Sequence, residues 1–157
     1  MLGKKSGFTL IEILLVMAIV SIVSAVTIGS YRSLVKKTEV DLTANNIIFN
    51  LKRTKANALS GVDNMRWGIH FVNSPTNVDY YEIFSTPTDF ADPGVSVEDA
   101  VYLPVTVYFT DPSDVAGSKD IIFEKIRGTL SADGSIAISS VDNFSRSITI
   151  NQIGNIH

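Results

Sequence analysis

Residues Phe8 to Ile28 form a run of 21 residues whose only charged side chain is Glu12. As a helix rising about 1.5 Å per residue, such a run covers about 30 Å, the thickness of a bilayer's hydrocarbon core. Lys4 and Lys5 stand directly before it, so the positive-inside tendency keeps Met1 on the cytoplasmic side and sends the rest of the chain out. Arg32, Lys36 and Lys37, beyond the run, weaken that bias without reversing it. The run exceeds the about 7–15 apolar residues of a secretory signal peptide, and Val23-Ser24-Ala25 is a poor A-x-A cleavage site. A simple membrane anchor accounts for the length and the basic flank; a buried core helix does not fit this length.

Neither reading accounts for Glu12. A charged side chain in an apolar span costs about 2.5–3.5 kcal/mol at the helix centre and less toward its end, so an acid there implies a partner. If the Gly7–Phe8 bond is cut, the new α-amino group of Phe8 lies four residues before Glu12. That cation can neutralise Glu12 of a neighbouring chain, in a medium that penalises either charge alone. Glu12 is then a device for register and assembly.

The segment Gly7-Phe8-Thr9-Leu10-Ile11-Glu12 resembles the type IV prepilin motif: a leader ending in glycine, then phenylalanine, then glutamate as the fifth mature residue. The likeness extends through Val20. It implies cleavage by a prepilin peptidase after Gly7 and N-methylation of Phe8. It also implies assembly with other pilin or pseudopilin subunits into a filament by an inner-membrane platform. Glycine suits the end of a leader because, lacking a Cβ, it lets a protease approach the backbone. Many filament-forming pilins carry a proline near the end of the apolar segment; Gly29 stands in that neighbourhood here and permits loosening without a fixed kink.

The expected organisation is a leader over 1–7, a transmembrane and filament-core helix over 8–30, its amphipathic continuation over 31–61, and a β-rich head over 62–157. Ala44, Ile47, Ile48, Leu51, Ala58 and Leu59 recur at helical spacing, with Lys55 interrupting the stripe. No proline interrupts Phe8–Ser60, and Ser60-Gly61 supplies a stop signal. Strands are expected over 65–72, 78–85, 121–125, 128–131, 135–139 and 147–152, with Asp133-Gly134 as a hairpin turn. The alternation Val101, Leu103, Val105, Val107, Phe109 is a further candidate, with Pro104 marking an edge or break. Residues 89–99 and 111–119 read as loops. The fold class is α+β: one long N-terminal helix packed on an antiparallel head.

Within the head, Ile122-Phe123, Gly128-Thr129, Gly134, and Ile148-Thr149-Ile150 leading to Gly154-Asn155-Ile156 resemble the C-terminal half of H-type minor pseudopilins of type II secretion. Related fimbrial-biogenesis minor pilins share the pattern. The resemblance implies two sheets packed with the helix; those proteins often end in Gly-Arg-Val or Gly-Arg-Ile, where Asn155 stands in place of the arginine. The functions it leaves open are a minor pseudopilin, the major subunit of a surface filament, and a binding module on an uncleaved anchor.

The chain has no cysteine, which excludes disulfides, thiolate catalysis and cysteine-ligated metals. Removing the leader takes 13 basic residues to 11 against 16 acids, leaving a net charge of −5. That balance is a poor match for nucleic acid, with Lys125, Arg127 and Arg146 as the C-terminal bases a contact would need. His70 stands alone in a strand as a solvent-facing residue and no glycine-rich phosphate loop or nucleophile elbow is present, so no enzyme is expected. Trp67 reads as core. No cofactor is expected either. Calcium is the remaining candidate, on Asp111, Asp114 and Asp120, against the plainer reading of a solvated acidic loop.

Overall fold

The computed structural model describes residues 7–113 and 117–157, without the side chains of 25–30, 32 and 33. The fold is α+β, and helix α1 spans Leu10–Ser60. By contacts the chain forms two compact units, Met1–Val35 and Lys36–His157.

In the first unit the helix is apolar on every side, and Leu10, Leu14, Met17 and Ile22 all stand exposed. Among the described residues no helix is long and apolar enough to cross a membrane.

The second unit places the remainder of α1 against two antiparallel sheets. Val40, Ala44, Ile47, Leu51 and Ala58 make one buried stripe at spacings of three, four and seven. Thr54, fully buried, fills the stripe where Lys55 was expected to break it, and Leu59 turns outward instead of joining the core. The helix stops at Gly61, whose φ of 65° and N–H to the Ala58 carbonyl form a left-handed cap. A short 3₁₀ turn, Val62–Asn64, leads into the head.

The first sheet contains β1 (Arg66–Val72), β2 (Tyr80–Thr86), β3 (Ser96–Tyr102) and β5 (Ser118–Phe123), in the order β3-β2-β1-β5. The second contains β4 (Val107–Asp111), β6 (Gly134–Ser140) and β7 (Ser145–Ile150), in the order β4-β6-β7. Their inward faces supply Ile69, Phe71, Tyr81 and Phe123 from one sheet and Phe109, Ile136, Ile138 and Ile148 from the other. Trp67 is buried, its Nε1–H donating to the Val62 carbonyl at 3.2 Å.

Several expected boundaries move. Residues 96–99, read as loop, belong to β3, and 118–119 belong to β5. The run from Val101 to Phe109 is two strands in different sheets, broken at Pro104, whose carbonyl accepts the Val107 N–H at 2.9 Å. Residues 128–131 form no strand, so Asp133-Gly134 joins no hairpin. The Asp133 carboxylate instead accepts the backbone N–H of Gln152 at 2.8 Å. The last strand begins at Ser145 and ends at Ile150 rather than running 147–152.

Candidate functional site

Gly7 and Phe8 lie outside the helix, in backbone with no regular structure, and the Phe8 side chain is 79% exposed. A peptidase needs a reachable bond outside regular structure, and this one is both reachable and non-helical. A Cβ built on Gly7 would meet nothing within 4 Å, and its φ is not in the left-handed region. Among the described residues nothing requires glycine there, so the requirement falls on whatever approaches the bond.

Thr9 starts the helix. The Glu12 N–H donates to the Thr9 carbonyl at 3.2 Å and lies 3.4 Å from Thr9 Oγ1. Thr9-x-x-Glu12 is the spacing of a capping box, with the acid in the first turn, where the helix dipole favours negative charge. This local role for both residues was legible in the sequence as Thr followed three positions later by Glu. It accounts for an acid at this end of the helix but leaves the carboxylate without a partner: among the described residues it makes no side-chain hydrogen bond or ion pair.

The acids read as a calcium loop part company. Both oxygens of Asp111, at the end of β4, accept from Lys119 Nζ at 2.8 Å, and Ser135 Oγ donates to Oδ2 at 2.6 Å. Burial, which would raise the Asp111 pKa, is outweighed by the Lys119 and Ser135 hydrogen bonds, which hold it below the usual carboxylate value. Asp120 is in β5, 2.5 Å from His70 Nδ1. Asp114 lies outside the described residues. Among the described residues no group of three His, Cys, Asp or Glu side chains could hold a metal.

His70 is not solvent-facing as expected. It pairs with Asp120 on one side, and its ring stacks on Phe90 at 3.8 Å and 5°. Phe90 also meets Phe84 edge-on at 4.8 Å, so the 87–95 segment lies over the outer face of the first sheet. Among the described residues, Asp120 and Phe90 are the side chains that engage the His70 ring.

Of the bases considered for nucleic acid, Lys125 and Arg127 line one hollow and Arg146 stands elsewhere. Arg146 pairs with Asp41 at 3.0 Å, and Lys125 Nζ donates to Asn64 Oδ1 at 2.9 Å. Lys55 has a role that the sequence did not disclose: its Nζ donates to the Gly154 carbonyl at 2.8 Å, tying the C-terminal turn to the helix. The signal was its position at the margin of a buried stripe.

With the exposed Gly7–Phe8 bond and the capped helix start in place, the comparison with known families becomes specific. The prokaryotic N-terminal methylation motif matches residues 2–28. No curated protein and no solved structure matches the chain. The motif supports a type IV prepilin-like protein, a structural subunit processed by a prepilin peptidase and assembled with other pilin subunits.

Proposed function

We propose that the chain is a prepilin-type subunit of a type II secretion pseudopilus or a related type IV pilus. It is cleaved between Gly7 and Phe8, methylated on Phe8, and held in the inner membrane by residues 8–30 with its head outside. An inner-membrane platform then draws it into the filament. One observation carries this reading: an exposed, non-helical Gly7–Phe8 bond leads at once into a capped apolar helix whose Glu12 carboxylate has no partner among the described residues. Within an apolar assembly, the amine released at Phe8 of an adjoining subunit is the counter-charge that the acid lacks.

A place among the H-type minor pseudopilins is supported by the two-sheet head, the absence of cysteine and the C-terminal Gly154-Asn155-Ile156 turn. A second reading, a subunit repeated along the filament, is favoured by the complementary charged surfaces of the head described below. Copy number in sheared filaments separates the two.

The test is intact-mass analysis of the membrane-extracted chain together with a Glu12→Gln variant. A chain beginning at methyl-Phe8, and a variant processed normally but missing from filaments, are expected. Intact Met1 at steady state points to an uncleaved anchor and overturns the reading.

A further inference from the structure

We propose that the turn Lys125-Ile126-Arg127 is a docking knob that seats on the free edge of strand β3 in a second copy of this chain. The proposal rests on the second reading, a subunit repeated along the filament, and names the partner surfaces of that assembly.

The knob is built under strain. Ile126 has a φ of 68°, a left-handed conformation that disfavours a β-branched residue and where glycine or asparagine would sit easily. The turn is held there from both sides. The Ile126 N–H donates to the Ala58 carbonyl at 2.8 Å, and the Gly128 N–H donates to the Glu124 carbonyl at 2.7 Å. Yet the strained side chain is 67% exposed, so the chain itself gains little burial from it. An isoleucine fixed outward at such a position is explained by a surface that covers it.

Its flanks are basic. Lys125 is pinned by Asn64, whereas Arg127 makes no hydrogen bond or ion pair among the described residues. The adjoining hollow brings Arg66, Lys125 and Arg127 around a single acid, Glu124, which Arg66 already engages at 3.2 Å.

The complementary surface is on the same chain. Strand β3 is the edge of its sheet and pairs only with β2 among the described residues. Val97, 47% exposed, is followed by Glu98 and Asp99, both exposed, and among the described residues the Glu98 side chain makes no ion pair or hydrogen bond. These acids belong to the stretch from Asp79 to Asp120, which holds nine acids and one base. An exposed isoleucine flanked by two bases thus has its counterpart in an exposed valine on an edge strand that carries two exposed acids.

Charged side chains on an edge strand disfavour strand-to-strand addition, which leaves side-chain docking as the way to use β3. Like surfaces repel, so the contact is heterologous, knob to edge, and it repeats from copy to copy instead of closing on itself.

Two differently tagged full-length chains, Val97→Cys and Ile126→Cys, are produced together in the parent cell. Sheared filaments are treated with a short bismaleimide; the natural chain has no cysteine to interfere. A mixed dimer carrying both tags is expected, with little homodimer of either variant. Arg127→Glu in the second chain should lower the mixed dimer about tenfold, and Glu98→Arg in the first should restore most of it. Processed, methyl-Phe8 chains that enter filaments without forming the mixed dimer overturn this contact alone. Capture of a different subunit by Ile126→Cys in place of the Val97→Cys chain also overturns it. Unprocessed chains overturn the contact and the filament reading together.

Discussion

The Asp79 carboxylate accepts the backbone N–H of Phe109 at 2.6 Å, reaching from the start of β2 in one sheet to β4 in the other. Its other oxygen accepts the Ser74 N–H at 2.8 Å, and the Asp79 carbonyl accepts the Leu103 N–H at 2.8 Å. One residue, only 5% exposed, therefore closes the loop before β2 and ties the two layers of the head.

Removing that carboxylate orphans two backbone donors in a dry setting. Asp79→Ala should destabilise the head by about 2–3 kcal/mol. Asp79→Asn keeps one acceptor oxygen and should cost about 1 kcal/mol. Urea unfolding of the full chain in detergent, followed by tryptophan fluorescence, reads both; equal midpoints for the two variants would contradict the assignment.

Gly68 is required by a neighbour rather than by its backbone. A Cβ there would sit 2.7 Å from Phe84 Cζ and 2.8 Å from the Ile121 carbonyl oxygen. The carbonyl belongs to a paired strand and cannot retreat, so Gly68→Ala should cost about 1–3 kcal/mol. The Phe84 ring should be pushed toward Phe90 and disturb its stack on His70. Loss of the ring-current shifts of His70 in the NMR spectrum, alongside the lower stability, is the expected signature.

Tyr81 sets the alkaline limit of the fold. Burial raises its pKa above 10.0, the hydrogen bond from Asn50 Nδ2 at 2.8 Å opposes that, and the charge of Asp99 adds to the rise. A phenol that keeps its proton longer when folded makes the unfolded chain bind fewer protons above its ordinary pKa. Stability from this group is therefore complete below about pH 10 and falls above it. Tyr81→Phe should flatten the alkaline limb of a stability–pH curve, measured by urea midpoints between pH 9 and 11.

Asp111 acts at the other end of the scale. Its depressed pKa gives stability that is complete above the ordinary value of about 4 and is lost as pH falls through the lower folded value. Asp111→Asn should remove part of the acid-side decline. Because the Lys119 ammonium occupies both carboxylate oxygens, millimolar calcium should leave the melting temperature unchanged. A rise with calcium that EGTA reverses would restore the metal reading.

The helix was legible in the sequence because its signals agree: an apolar run, then a stripe at spacings of three and four, then Ser60-Gly61. Pro104 likewise announced the break between β3 and β4. Strand β3 was not legible. Every residue from Ser96 to Ala100 is exposed, so the edge strand shows no burial alternation and its acids imitate a loop. Residues 128–131 erred the opposite way: their pattern suits a strand, but they are held by isolated bonds such as Leu130 N–H to the Gln152 carbonyl at 2.8 Å. At the N-terminal site, the Gly7, Phe8 and Glu12 pattern was legible from residue order, whereas the partners of Asp111, Asp120 and His70 required the folded sheets. Those partners are 8 to 50 residues away along the chain.

Helix α1 begins at Leu10, so severance after Gly7 leaves that helix and its Thr9 cap intact. On the filament reading, what changes is polarity. The fresh ammonium is created beside the positive pole of the aligned peptide dipoles, a placement disfavoured by about 0.3–1 kcal/mol. Maturation thereby leaves each chain with a small electrostatic tension at its tip, which a carboxylate on the next chain relieves.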